Sequence, residues 1–203
     1  MFDPVVRPLK DAVLAPFVRV FSRVHPHAVS VLALSAGLAS AAGAARGAFG
    51  SAIALWTLNR VLDGLDGTVA RHSGRQTDLG GYLDLVFDFV VYAAVPLGVA
   101  AGAAQLGVSA WPAAAFLIAS FYVNAASWLY LSAVLEKRAT HGVRDRDTAV
   151  VMPEGIIAGT ETVIFFFLFL LFPSSSPALF SVMAVLVMAT ALQRVLQAVR
   201  RIG

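Results

Sequence analysis

Residues 63–88 read DGLDGTVARHSGRQTDLGGYLDLVFD and lie between two long apolar runs. Asp63 and Asp66 are three residues apart, and Asp84 and Asp88 are four apart. Each pair therefore occupies one face of a helix. Two such pairs on consecutive helices converge on an oxygen-only cage. An ionised side chain at membrane depth costs roughly 2.5–3.5 kcal/mol on insertion scales, so such residues are as a rule functional and partnered.

Four carboxylates brought together repel one another unless positive charge is supplied. A divalent cation supplies it. Oxygen donors without His or Cys favour Mg²⁺, Mn²⁺ or Ca²⁺ over zinc. Mg²⁺ is commonly shared between one or two protein carboxylates and substrate phosphates, which points to a phosphorylated ligand.

The rest of the chain is that of a polytopic membrane protein. Apolar residues make up 59% of 203 and charged residues 13%, with a mean hydropathy of +0.79, far from soluble-globular averages. At about 20 residues per span, the hydropathy pattern predicts six transmembrane helices, over about 28–45, 49–70, 80–103, 110–135, 155–172 and 177–198. The fold class expected is all-α and membrane-embedded, one domain over residues 1–203, with no internal repeat and no soluble module. The small-residue first span, AVSVLALSAGLASAAGAARGAFG, should be buried against other helices. The bulkier Phe165–Leu171 run suits a lipid-facing surface.

Residues 1–24 intersperse Val5, Val6, Leu9, Val13, Phe17 and Phe21 with Arg, Lys and Asp. That pattern predicts an interfacial amphipathic helix broken at Pro8 and Pro16, and it lacks the apolar core of a cleaved signal peptide. Fourteen of the fifteen Lys and Arg residues fall before the first span, around the second and fourth connections, or at the end, and Arg46 alone falls elsewhere. The positive-inside rule then places both termini and the Asp cluster in the cytoplasm, in a cell or inner membrane. The isoelectric point near 9.7 reads as attraction to anionic headgroups; no nucleic-acid partner is indicated. Without cysteine there is no disulfide framework and no thiol chemistry.

Keeping only its defined positions, the opening stretch is D-x-x-D-G-x-x-A-R-x8-G-x3-D-x3-D, carried by Asp63, Asp66, Gly67, Ala70, Arg71, Gly80, Asp84 and Asp88. The small Gly67 and Ala70 leave room for a flat base or ribose. Arg71 offers a forked donor to phosphate, and Gly80 lets the second helix start close to a ligand. All eight positions match the signature of the CDP-alcohol phosphotransferase (CDP-alcohol phosphatidyltransferase) family, which the chain resembles over this segment and in its six-span plan.

The resemblance implies transfer of a phosphatidyl or related phosphoalcohol group from a CDP-alcohol, CDP-diacylglycerol foremost, to an acceptor hydroxyl with release of CMP, as in phospholipid biosynthesis. It implies a pair of Mg²⁺ or Mn²⁺ ions held by Asp63, Asp66, Asp84 and Asp88, with Asp88 also the base for the acceptor hydroxyl. Asp63, Gly67, Ala70, Arg71 and Gly80 would contact the CDP moiety, and the enzyme would be a homodimer. Asp78 falls outside the signature and reads as a solvated loop residue or the cap of the third span.

The acceptor is less legible. Relatives that use phosphorylated acceptors carry basic residues inside the end of the fourth span and the start of the fifth. Here Lys137 and Arg138 come only at the end of the fourth, and the fifth opens MPEGIIAGTET, with Glu154 and Glu161. These two are seven residues apart and can face one cavity, where carboxylates suit a polyol or an amine. Arg144 and Arg146 remain available to an acceptor phosphate. His25, His27, Trp56, Trp111 and Trp128 read as interface or packing residues. The rival functions are a divalent-cation transporter, which would need acidic residues along a transmembrane path, and a catalytically silent lipid-binding relative, which would have no need of four intact Asp residues.

Overall fold

The computed structural model describes residues 25–140, 157 and 159–202. Among them there are six α-helices and no strand: α1 (Pro26–Ala45), α2 (Phe49–Ser73), α3 (Asp78–Gln105), α4 (Trp111–Thr140), α5 (Gly159–Leu171) and α6 (Ser176–Ile202). The helices fall where hydropathy predicts them. Of the six, α1, α3, α4 and α6 are long and apolar enough to cross a bilayer. The α2 helix breaks its apolar run with Arg60, Asp63, Asp66 and Arg71, and α5 is described over 13 residues. The amphipathic helix expected over residues 1–24, and Arg144, Arg146 and Glu154, lie outside the described residues.

Small residues let α1 pack at close range against both α2 and α3. A Cβ at Gly37 would come within 2.6 Å of the Val91 side chain, and one at Gly98 or Gly102 would run into the carbonyl of Ala41 or Ala44. Such close backbone approach is how helices associate where lipid removes the hydrophobic drive. Polar bonds add to it. Ser40 Oγ donates to the Ala52 carbonyl at 2.8 Å, and Asn59 Nδ2 donates to the Ala33 carbonyl at 2.7 Å.

The α4 and α6 helices form a second close pair, whereas α3 and α4 touch only sparsely. The seam between them is an apolar groove of about 480 Å³ with Tyr92, Phe121 and Tyr122 on its walls. The Phe165–Leu171 run of α5 is an outer surface only in part, with Leu171 exposed. Phe166, Phe169 and Leu170 are fully buried, because Phe166 stacks on Trp56 at 4.9 Å and Phe169 meets Phe180 edge-on at 4.7 Å. Aromatic pairs of this kind add to simple area burial. Leu32, Leu58, Phe116 and Val185 instead form part of the apolar exterior.

Candidate active site

The signature segment folds as a helical hairpin. Gly74 ends α2 with φ at +62°, and its N–H reaches back to the Ala70 and Arg71 carbonyls. This is the left-handed cap that glycine adopts without penalty. Thr77 begins α3, its hydroxyl accepting from the Gly80 N–H at 3.0 Å. The cap is therefore Thr77, and Asp78 is the first residue of the helix. An acidic side chain there also complements the helix dipole.

The hairpin brings Asp63, Asp66, Asp84 and Asp88 to the wall of one cavity of about 10 Å³, shared with Ser30, Asn59 and Arg60. That is room for one water-sized particle. A cleft of about 200 Å³ adjoins it, lined by Gly67, Ala70, Arg71, Gly80, Gly81 and Thr77 together with Pro26 and His27 of α1. Ser30, Asp66 and Asp84 belong to both spaces. A Cβ on Gly67 would stand 3.3 Å from Arg71 Nη1. Arg71 is itself exposed and braced by a 3.1 Å bond from Nη2 to Thr68 Oγ1. At Gly80 an added Cβ would lie 3.2 Å from Thr77 Oγ1 and 3.4 Å from the His27 ring.

Two polar groups outside the signature hold the carboxylates. Ser30 Oγ reaches Asp66 Oδ2 at 2.6 Å from α1. Arg60 lies between the two Asp pairs: its Nη2 donates to Asp88 Oδ1 at 3.0 Å and its Nη1 stands 3.6 Å from Asp63 Oδ2. Tyr92 Oη donates to Asp88 Oδ2 at 3.4 Å, so both oxygens of Asp88 are engaged.

Among the described residues no three His, Asp or Glu side chains close around a single point, and Arg60 occupies two of the four carboxylates. The side-chain types nevertheless suit a hard divalent ion: four carboxylates, with no sulfur or imidazole, line one ion-sized space beside Asn59 and Arg60.

Glu161 stands in the first turn of α5, partly buried, and lines neither the cleft nor the cavity. Arg60 reads in the sequence as a positively charged flank of the second connection, but its side chain is 12% exposed and interior. Arg194 likewise turns inward from α6 to donate to Asn124 Oδ1 of α4 at 2.6 Å. Ser30, Asn59, Arg60, Tyr92 and His27 are among the site neighbours that the signature does not name. The one sequence signal for them is the helical spacing of Trp56, Arg60 and Asp63, and of Asp88 and Tyr92.

Two comparisons bear on this geometry. The chain is 31% identical to the inner membrane protein YnjF of Escherichia coli (strain K12) over 176 residues, which is 86% of this chain and 84% of that protein. Residues 23–196 match the family model described as CDP-alcohol phosphatidyltransferase. That span takes in the hairpin and every described helix up to the last turns of α6, and the chain therefore belongs to the CDP-alcohol phosphatidyltransferase family.

Proposed function

We propose that this chain transfers a phosphatidyl group from CDP-diacylglycerol to the hydroxyl of an alcohol acceptor, releasing CMP, and does so with Mg²⁺ or Mn²⁺. The observation that supports the reading is the pairing of a cavity walled by four aspartates with a small-residue cleft that shares two of them. The cleft suits the CDP moiety, with Gly67 and Ala70 as its floor, Gly80 at its α3 edge and Arg71 facing phosphate. Asp63, Asp66, Asp84 and Asp88 would hold the metal, two ions in the fullest form of the reading. When bound, the metal neutralises the pyrophosphate and the charge that develops on the departing CMP.

The chain's own residues would do the rest. The acceptor oxygen forms a bond to the donor's β-phosphorus while the bond from that phosphorus to the CMP oxygen breaks, its electron pair leaving with CMP. Asp88 takes the proton from the acceptor hydroxyl as general base, with its carboxylate oriented by Arg60 and Tyr92. Glu161, Glu154, Arg144 and Arg146 belong to the acceptor side in this reading, and the working unit is a homodimer with its site on the cytoplasmic face of the membrane.

The test is CMP release by purified protein given CDP-diacylglycerol and Mg²⁺ with a panel of polyol, amino-alcohol and phosphorylated acceptors. Acceptor-stimulated CMP release, lowered at least about a hundredfold in Asp88→Asn, is the expected result. No release with any acceptor would overturn the reading.

A further inference from the structure

Arg60 is fixed more firmly than an ion-pair partner needs to be. Its guanidinium carbon sits 4.7 Å over the Trp56 ring and 5.6 Å from the Tyr92 ring. Trp56 is fully buried and stacked in turn on Phe166. Nε donates to Asn59 Oδ1 at 2.7 Å, and Asn59 is anchored to the α1 backbone through Ala33. Nη1 reaches Tyr92 Oη at 3.4 Å, and Nη1 and Nη2 meet Asp63 and Asp88. Every guanidinium nitrogen is thus engaged, by groups from α2 and α3. A planar fork held this way is pre-organised.

The position has an electrostatic consequence. Arg60 pairs with one carboxylate from each of the two Asp pairs, at the wall of the same ion-sized space. A divalent ion using Asp63 or Asp88 must share them with a positive charge a few ångströms away, and like charges at that range repel strongly where water is scarce. The adjoining cleft reverses this balance. A pyrophosphate seated there brings negative charge to Asp66 and Asp84, the two carboxylates common to both spaces.

We propose that Arg60 is a resident cation that makes divalent-metal loading of the carboxylate cavity depend on nucleotide binding. The inference rests on the metal- and CDP-dependent reading above. Arg60 acts as a positioning residue: it holds Asp63 and Asp88 together while the nucleotide is absent and disfavours metal until the pyrophosphate arrives. The coupling is reciprocal, so metal strengthens CDP binding by the same factor.

The experiment is a Mn²⁺ titration of the purified full-length protein, read by loss of the free-ion paramagnetic resonance signal, without and with saturating CDP, after subtraction of the Mn²⁺ that CDP alone binds in a protein-free titration. In the wild type CDP should tighten the Mn²⁺ Kd at least tenfold. In Arg60→Met the CDP-free Kd should already be at least tenfold tighter than in the wild type, and the effect of CDP should shrink accordingly. Arg60→Gln, which removes the charge but keeps a hydrogen-bonding head, should behave as Arg60→Met does and serves as the readout if the Met variant does not fold. A CDP-free affinity that is unchanged or weaker in either variant overturns the proposal while leaving the transferase reading intact. Failure of the wild type to bind Mn²⁺ even with CDP overturns both.

Discussion

Ser30 Oγ donates a 2.6 Å hydrogen bond to Asp66 Oδ2, with the Pro26 carbonyl a more distant alternative at 3.3 Å. The bond ties α1 to the hairpin at the wall common to cleft and cavity. Ser30→Ala leaves one carboxylate oxygen without its hydroxyl partner. Loss of an outer hydrogen bond to a metal-holding group typically costs about 10–100-fold in metal affinity or activity. The Mg²⁺ dependence of CMP release should shift to higher concentration by such a factor, with the circular dichroism spectrum unchanged.

Asp88→Asn removes the charge and the basicity at a position already held by Arg60 and Tyr92. General-base catalysis contributes about 10²–10⁴-fold, and turnover should fall within that range. Tyr92→Phe removes one of the two contacts to Asp88 and should lower turnover far less. An Asp88→Asn enzyme retaining more than a tenth of wild-type turnover would show that Asp88 is not the base.

Gly67→Ala puts a carbon 3.3 Å from Arg71 Nη1 on the floor of the cleft. The neighbour must give way where the nucleotide is expected to lie. The KM for the CDP donor should rise about tenfold with kcat nearly constant, the pattern of lost binding common to ground and transition states.

Gly98→Ala forces a methyl group against the Ala41 carbonyl of α1. Backbone cannot yield as a side-chain tip can, and overpacking costs about 1–3 kcal/mol. The thermal unfolding midpoint in detergent should drop, and the substitution should weaken folding before it alters any kinetic constant.

Treatment with EDTA should abolish CMP release, and Mg²⁺ or Mn²⁺ should restore it. Zn²⁺ should restore it poorly, because the cavity presents oxygen donors without His or Cys. Full activity in EDTA would remove the metal from the proposed function.

The helices are legible because apolar runs of span length are a strong signal, and the Asp pairs because spacings of three and four are visible in a linear string. Thr77 and Asp78 show the limit of cap reading: both can cap, and only the backbone decides which hydroxyl or carboxylate meets the Gly80 N–H. Arg60 is obscured for a different reason. A basic residue near a connection reads as a topological anchor, and its interior setting needs Tyr92 from α3, 32 residues away. The burial of Phe166 and Phe169 has no local signature, since bulky aromatic side chains serve a lipid-facing surface and a protein core alike.

The sparse seam between α3 and α4 parts the molecule into two closely packed units. Among the described residues, every one lining the carboxylate cavity is on α1, α2 or α3, and the close α4–α6 pair reaches that unit across few contacts. What links the two units is aromatic: Phe180 of α6 meets Phe169, Phe169 meets Phe166, and Phe166 stacks on the Trp56 that lies under Arg60, so a substitution in the α4–α6 pair reaches the aspartates by that chain of rings.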